Sequence, residues 1–187
     1  TALEAFDGCA LKKTATNLVF GAGVENAAVM FVGEAPGRDE DREGLPFVGA
    51  SGRLLDEMVR HIGLDRETNF YVSNILPWRP PGNRNPTDAE IAVCLPFIER
   101  HIQIVGPKVI VFLGGTAAKT LLGRTEGITR LRGRWYEYVP QSLAAAPPIP
   151  AMATLHPAYL LRQPAQKRNA WRDLLATAER LDELAKA

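Results

Sequence analysis

The segment KVIVFLGG, residues 108–115, decides the fold class. Its apolar residues follow one another without interruption, which is typical of a strand buried on both faces of a parallel sheet. The residues that follow, TAAKTLLG, predict a short helix. A buried strand followed by a helix is the repeating unit of α/β proteins, so this segment predicts that architecture.

Three further core strands are predicted on either side of this segment. They are VMFV (29–32), NFYVSN (69–74) and the first part of IPAMATLHPAYLL (149–161), which turns at His156-Pro157. Segments with a helical period separate or follow the strands, at 51–63, 87–106 and 166–187. The sequence therefore predicts an α/β fold in which helices cover both faces of a four-stranded, mostly parallel sheet.

Local patterns refine this outline. Thr87 and Glu90 form a capping box, which predicts that a helix begins there. GRWYEYV (133–139) alternates in polarity and predicts an edge strand, whereas SLAAAPPIP (142–150) is typical of a loop or hairpin tip rather than a linker. With 187 residues in total, we expect a single domain over residues 1–187.

Composition limits the function classes. The net charge is +1, from 22 basic and 21 acidic side chains, so any surface for nucleic acid has to arise from local clustering. No apolar run approaches the roughly 18 residues of a membrane helix, and no signal peptide opens the sequence, so we expect a cytoplasmic protein without a membrane partner. Cys9 and Cys94 are then expected to be reduced thiols, with a disulfide between them as the alternative.

The loop GEAPGRDEDREGLPFVG, residues 33–49, follows the first core strand. Ligands of α/β proteins bind beyond the carboxyl ends of the parallel strands, so this loop is a candidate site wall. It lacks the lysine and spacing of a nucleoside-triphosphate loop, and its carboxylates would repel phosphate. Asp39, Glu40 and Asp41 are consecutive and poorly placed to share one metal ion, so we expect no metal and interpret them as a solvated turn or a helix N-terminus. Pro36 and Pro46 indicate a rigid backbone.

Three segments together resemble family 4 uracil-DNA glycosylases. They are GEAPGRDEDREGLPFVGASGRLLDEM (33–58), SNILPWRPPGNRNPTDAEIAVC (73–94) and LHPAYLLR (155–162), and their order and spacing also match the family. The resemblance covers about residues 6–180. It implies a three-layer α/β/α sandwich around a four-stranded, mostly parallel sheet. It also implies hydrolysis of the N-glycosidic bond of deoxyuridine in DNA, which initiates base excision repair and leaves free uracil and an abasic site.

The resemblance implies a uracil pocket with three principal side chains. Phe47 is the expected stacking face, with a plain core role as the alternative. Asn74 offers a donor and an acceptor that match O4 and N3–H of uracil, and cytosine presents the reversed pattern. His156 is the expected hydrogen-bond donor to O2, where negative charge develops as the bond breaks. The loop residues expected at the uracil or the attacking water are Gly33, Glu34, Ala35, Pro36 and Gly37.

One position keeps a second function open. More distant relatives carry a catalytic aspartate where this sequence has Ala35, and Glu34 is the nearest carboxylate that can orient water. The alternative is therefore a non-catalytic or slow-turnover protein that binds uracil or abasic sites in DNA.

Basic and apolar side chains in the loops beyond the pocket are expected to contact DNA. Four of them, residues 159–162, resemble a wedge that fills the gap left by the flipped base. The candidates are Arg79, Arg84, Arg132, Arg134, Tyr159, Leu160, Leu161 and Arg162. No obligate protein partner is expected.

The sequence departs from the family at its iron–sulfur site. By resemblance, the four cysteine ligands fall on Phe6, Cys9, Trp78 and Cys94, and only two of these residues are cysteines. Phenylalanine and tryptophan have no atom that ligates iron in such clusters. We therefore expect a branch without the cluster and without any other cofactor, in which the aromatic rings fill the volume.

Overall fold

The computed structural model describes residues 2–142 and 146–186. Its strands are β1 (Ala22–Gly23), β2 (Val29–Gly33), β3 (Phe70–Asn74), β4 (Val109–Leu113), β5 (Trp135–Tyr138) and β6 (Ile149–Thr154). Its helices are α1 (Ala2–Ala5), α2 (Arg38–Glu43), α3 (Ala50–Arg60), α4 (Asp88–Val105), α5 (Gly115–Leu122), α6 (Ile128–Leu131), α7 (Pro157–Arg162) and α8 (Lys167–Lys186). Short 3₁₀ turns lie at Ala10–Lys13, Pro81–Asn83 and Pro164–Gln166.

The described strands form one six-stranded sheet in the order β1-β3-β2-β4-β6-β5. The four central strands are parallel, with Gly33 beside Asn74 and Leu113 beside Thr154 in the register. The predicted α/β fold is confirmed, and the sheet has six strands rather than four. The added edges are the antiparallel β5, which the sequence predicted, and the two-residue β1, which is too short to leave a pattern.

The uninterrupted apolar run of β4 has a direct structural cause. Ile110 and Phe112 belong to one buried cluster, which includes residues of α4 and α5. Val109 and Val111 belong to a second cluster, which includes residues of α3 and α8. Because helices cover both faces, successive side chains on opposite sides of the strand are all buried.

The capping box of α4 forms as predicted. The hydroxyl of Thr87 accepts the amide hydrogen of Glu90, and the Glu90 carboxylate accepts the amide hydrogen of Thr87 at 2.8 Å. The same carboxylate is bound by Arg84, which lowers the pKa of Glu90 to about 2. This ion pair attaches the proline-rich loop before α4 to the first turn of the helix.

The connection between β5 and β6 joins two antiparallel strands, with Tyr138 opposite Ile149. The buried Glu99 of α4 accepts the amide hydrogens of Gln141 at 2.6 Å and Ser142 at 2.9 Å, which fixes the start of this connection. Part of the predicted hairpin tip, residues 143–145, lies outside the described residues. Among the helices described, none has the length and apolar character needed to cross a bilayer.

A buried histidine on α4 makes the fold sensitive to acid. His101 stacks on Phe20 with ring centroids 4.0 Å apart, its Nε2 lies 3.0 Å from the Tyr71 hydroxyl, and burial lowers its pKa to about 4. The unfolded chain binds this proton near pH 6.5. Between these values the unfolded state therefore holds more protons than the native state.

We predict that the free energy of unfolding contributed by this group is fully present above pH 6.5. It should be lost progressively as the pH falls from 6.5 to about 4. Urea denaturation at pH 7 and pH 5 measures the loss, and His101→Gln should reduce it. The exposed His61 gives the matched control, His61→Gln, which should leave the loss unchanged. An equal loss in wild type and His101→Gln would contradict the prediction.

Candidate active site

A cavity of about 740 Å³ lies at the carboxyl edge of the four parallel strands. It is bordered by the loop after β2, the ends of β3 and β4, and the start of α7. All but one of the residues expected at the uracil line it. Those residues are Glu34, Ala35, Pro36, Gly37, Phe47, Asn74 and His156.

Gly33 lies beneath this cavity and shows how tightly its floor is packed. A Cβ atom on Gly33 would lie 2.5 Å from Oδ1 of Asn74 and 2.6 Å from Cζ of Phe47. Both distances are far shorter than carbon contacts in proteins, so no other residue fits without moving one of these two side chains. Gly33 therefore allows the amide and the aromatic ring to approach each other.

Asn74 ends β3 with its side chain 5% exposed and its Oδ1 without a hydrogen-bond partner among the described residues. A buried polar atom left unpaired costs about 1–3 kcal/mol. The backbone that follows Asn74 is held in place, because the amides of Ile75 and Leu76 donate to the carbonyls of Gly33 and Glu34 at 2.9 and 3.0 Å. The structure thus holds an unsatisfied acceptor rigidly at the cavity.

Phe47 lies in a position that fits both roles that the sequence left open. It is 5% exposed and packs in the core with residues of β2, α3 and α8, yet it also lines the cavity. Its backbone φ is 55°, in the left-handed region. Bulky residues rarely adopt this conformation, because it costs roughly 1–3 kcal/mol. Its ring centroid lies 5.8 Å from that of His156, with the planes 30° apart.

His156 precedes α7 and caps it. Its Nδ1 accepts the amide hydrogen of Ala158 at 3.0 Å, so in the neutral ring the proton is on Nε2. Burial, with a smaller contribution from the positive charge of Arg162, lowers the pKa of His156 to about 4, while Glu40 opposes the shift. The ring is therefore a neutral hydrogen-bond donor at physiological pH.

The end of β4 also shapes the site, although the sequence analysis assigned no role there. Gly114 has a φ of 95°, and a Cβ on it would lie 3.1 Å from Cβ of His156. Thr116 of α5 and Ser51 of α3 line the cavity from the first turns of their helices. Gly114 and Gly115, which end the apolar run, are the sequence feature from which this wall of the cavity could have been predicted.

Two acidic residues of the loop after β2 stabilise its structure. The Glu40 carboxylate accepts amide hydrogens from Gly37 at 3.1 Å, Val48 at 3.0 Å and Gly49 at 2.8 Å, so it joins both ends of the loop. Asp41, 5% exposed, accepts amide hydrogens from Thr16 and Asn17. Both lie in α2, which agrees with the interpretation of these residues as a helix start.

Several of the residues expected to contact DNA surround the cavity mouth. Arg79, Arg84, Tyr159 and Arg162 line it, and Leu161 is 44% exposed beside them. Arg79 is held by Asn83, with Nε donating to Oδ1 at 2.6 Å. Arg134 is exposed but does not line the cavity.

Two of the residues expected to contact DNA do not extend into the cavity mouth. Leu160 is completely buried against Leu155 and Ala170, because it lies on the inner side of α7. Arg132 donates to both oxygens of the buried Asp173, at 3.1 and 2.5 Å, and to the carbonyl of Asn169. Its guanidinium stabilises a buried carboxylate instead of extending towards a ligand.

The residues at the expected iron–sulfur positions do not fit a cluster. Cys9, Trp78 and Cys94 belong to one buried core cluster, and Phe6 packs against it. Cys9 and Cys94 are buried free thiols, and burial, with a smaller contribution from Cys9, raises the pKa of the Cys94 thiol. Phe6 lies 4.7 Å from the ring of Phe97. Only two of the four side chains carry an atom that binds iron, so the set lacks half of its ligands.

We predict that His156 stays in the Nε2–H tautomer and titrates near pH 4. Arg162→Gln should raise this pKa, because removal of a neighbouring positive charge favours the protonated ring. Nitrogen-15 NMR of the imidazole reports both the tautomer and the titration. Arg134→Gln is the matched control and should leave the midpoint unchanged. A wild-type midpoint near 6.5 would contradict the assignment.

Comparison with known proteins agrees with this geometry. The family model for the uracil DNA glycosylase superfamily matches residues 20–175. The chain is 44% identical over 160 residues to the type-4 uracil-DNA glycosylase of Archaeoglobus fulgidus, which covers 83% of this chain and 78% of that protein. It is 43% identical over 155 residues to the type-4 enzyme of Thermotoga maritima, with 82% and 77% covered. Given these matches over nearly its whole length, the chain belongs to the uracil-DNA glycosylase superfamily and groups with its type-4 members.

Proposed function

We propose that the protein is a uracil-DNA glycosylase that hydrolyses the N-glycosidic bond of deoxyuridine in DNA. The products are free uracil and an abasic site, and the reaction initiates base excision repair. The family membership supports this function. The observation that carries it is the buried, unpartnered Oδ1 of Asn74 at a cavity bordered by an aromatic ring and a neutral histidine.

Asn74 selects the base. Its Oδ1 accepts N3–H of uracil and its amide NH₂ donates to O4, which satisfies the acceptor that lacks a partner. Cytosine places an acceptor at N3 and a donor at C4, so both contacts become repulsive. Because the mismatched groups are buried, the discrimination is larger than a surface amide would give.

His156 stabilises the leaving group. As the bond between C1′ and N1 breaks, its electron pair moves into the uracil ring and onto O2. The Nε2–H of a neutral imidazole donates to this oxygen, and the orientation is fixed because Nδ1 is occupied by the Ala158 amide. A fixed donor at developing charge commonly contributes about 10²- to 10³-fold in rate.

Water completes the hydrolysis. Its oxygen attacks C1′ of the cationic sugar, one proton is released to solvent or to Glu34, and the uracil anion is protonated at N1. Glu34 lines the cavity with its backbone fixed to Leu76, which supports a role in holding this water. Ala35 packs towards the core and supplies no carboxylate.

The DNA surface follows from the cavity mouth. The guanidinium groups of Arg79 and Arg162 attract the phosphates on either side of the flipped nucleotide, whereas that of Arg84 is paired with Glu90. The exposed Tyr159 and Leu161 of α7 fill the gap in the base stack. The proposed wedge therefore contains fewer residues than the sequence indicated, because Leu160 is buried and only packs beneath it.

No iron–sulfur cluster is part of this proposal. The rings of Phe6 and Trp78 occupy two of the four ligand positions, and the surrounding core is apolar. Cys9 and Cys94 then act as buried core thiols. Within residues 2–142 and 146–186, no three His, Cys, Asp or Glu side chains are grouped so as to hold a metal ion.

Release of uracil tests the function. A single- or double-stranded oligonucleotide with one deoxyuridine is incubated with the protein and treated with alkali, and scission at that site is expected. His156→Ala should lower the single-turnover rate about 10²- to 10³-fold with little change in DNA affinity. Asn74→Asp should reduce the preference for uracil over cytosine.

His61→Ala, which removes an exposed histidine far from the cavity, is the control and should retain full activity. Tight retention of the oligonucleotide by the wild type without scission would favour the alternative function, a uracil- or abasic-site-binding protein.

We predict that the purified protein carries no stoichiometric iron. Elemental analysis and the visible spectrum measure this, and a colourless protein without charge-transfer bands is expected. Trp78→Cys with Phe6→Cys restores four thiols, and cluster assembly in this double variant would show that the aromatic residues exclude it. Stoichiometric iron and acid-labile sulfide in the wild type would contradict the prediction.

A further inference from the structure

We infer that Arg66 is a positioning residue for the stacking wall of the site: its guanidinium holds the main chain at Pro46 and Phe47 and so fixes the ring of Phe47 beneath the base. Arg66 lies between α3 and β3, and it does not line the cavity. The inference rests on the proposed function, because the ring is the expected partner of uracil.

The contacts of Arg66 are directed at two successive carbonyl groups. Its Nη1 donates to the carbonyl oxygen of Pro46 at 2.7 Å, and its Nη2 donates to that of Phe47 at 3.0 Å. The planar guanidinium places two donors in a fixed relation, which suits two adjacent acceptors. A lysine ammonium has no such fork and would hold one carbonyl well at most.

The guanidinium is itself anchored. Asp56 of α3 accepts from Nη2 at 2.8 Å and from Nε at 3.3 Å. The backbone of Arg66 lies in a turn that Asp65 and Asn69 tie together, since Asn69 Oδ1 accepts the Asp65 amide hydrogen at 2.8 Å. With its side chain 19% exposed, Arg66 connects a rigid turn and a helix to the loop.

The loop needs such a restraint at this point. Phe47 adopts the left-handed conformation with a φ of 55°, which a phenylalanine leaves readily unless its surroundings prevent it. Gly52 of α3 packs against the same peptide, because a Cβ there would lie 1.7 Å from the Phe47 carbonyl oxygen. Gly52 permits the conformation, and Arg66 supplies the hydrogen bonds that favour it.

Arg66→Ala, Arg66→Lys and the matched control Arg60→Ala test the inference. Arg60 borders the same surface depression as Arg66 and pairs with Glu57, and none of its hydrogen bonds reaches the loop. Hydrogen exchange of peptides covering residues 44–53 should be about tenfold faster in Arg66→Ala, most clearly at the Val48 and Gly49 amides. Arg60→Ala should match the wild type.

Function provides the second readout. Arg66→Ala should lower the single-turnover rate of uracil release about 10- to 100-fold, because small displacements of positioned groups have effects of this size. Inhibition by free uracil should weaken about tenfold, since the base loses its stacking partner. Affinity for DNA containing an abasic site, which has no base to stack, should change less than about twofold. Guanidinium ions at low millimolar concentration should restore part of the rate in Arg66→Ala, and Arg66→Lys should be intermediate.

The outcomes separate the two proposals. Unchanged exchange at residues 44–53 in Arg66→Ala overturns the inference whether or not the protein releases uracil. Parallel losses of uracil and abasic-DNA affinity, with a lower melting temperature and no rescue, also overturn it, because they indicate general destabilisation. An inactive wild type whose loop exchange responds to Arg66→Ala as expected would instead refute the glycosylase function alone.

Discussion

The candidate site depends on the carboxylate of Glu40. Its two oxygens accept three backbone amide hydrogens, one from Gly37 at the start of the loop after β2 and two from Val48 and Gly49 at its end. These bonds join the two ends of the loop, which borders the cavity. A charged acceptor is needed because hydrogen bonds to a carboxylate are roughly twice as strong as neutral ones. The acidic side chain of Glu40 therefore holds the loop in shape.

Burial determines the electrostatic character of the remaining walls. His156 lies in the wall of the cavity, where the partial burial of its imidazole and the nearby charge of Arg162 both favour the neutral form. A neutral donor suits a leaving group that is neutral before the bond breaks and anionic afterwards, since it does not bind the uncharged base so strongly that the ground state is stabilised. In the proposed mechanism, His156 therefore stabilises the transition state more than the bound base, without a full positive charge in contact with the base.

The sequence predicted the parallel core because its strands leave a strong pattern, and it predicted most of the cavity because the strand ends and the resemblance to family 4 enzymes indicated the same residues. Uninterrupted apolar strands and polar residues at their carboxyl ends are local features, and the strand ends meet by topology alone. The side of a helix that faces outwards, and the pairing of residues far apart in sequence, do not follow from local patterns. Leu160 and Leu161 were both placed in the wedge, although Leu160 is fully buried and only Leu161 is exposed. Arg132 was assigned to DNA, because its pairing with Asp173 joins residues 41 positions apart.

The cap on α7 couples the protonation of His156 to the stability of the first turn of the helix. Nδ1 of His156 holds the first turn of the helix that carries the exposed Tyr159 and Leu161. A proton on Nδ1 removes that acceptor, so it charges the imidazole and loosens the helix at the same time. In the proposed mechanism, acid would therefore weaken the contact of α7 with DNA together with cleavage of the glycosidic bond. In the proposed mechanism, a variant with a more basic His156 would lose both properties together, at a higher pH than the wild type.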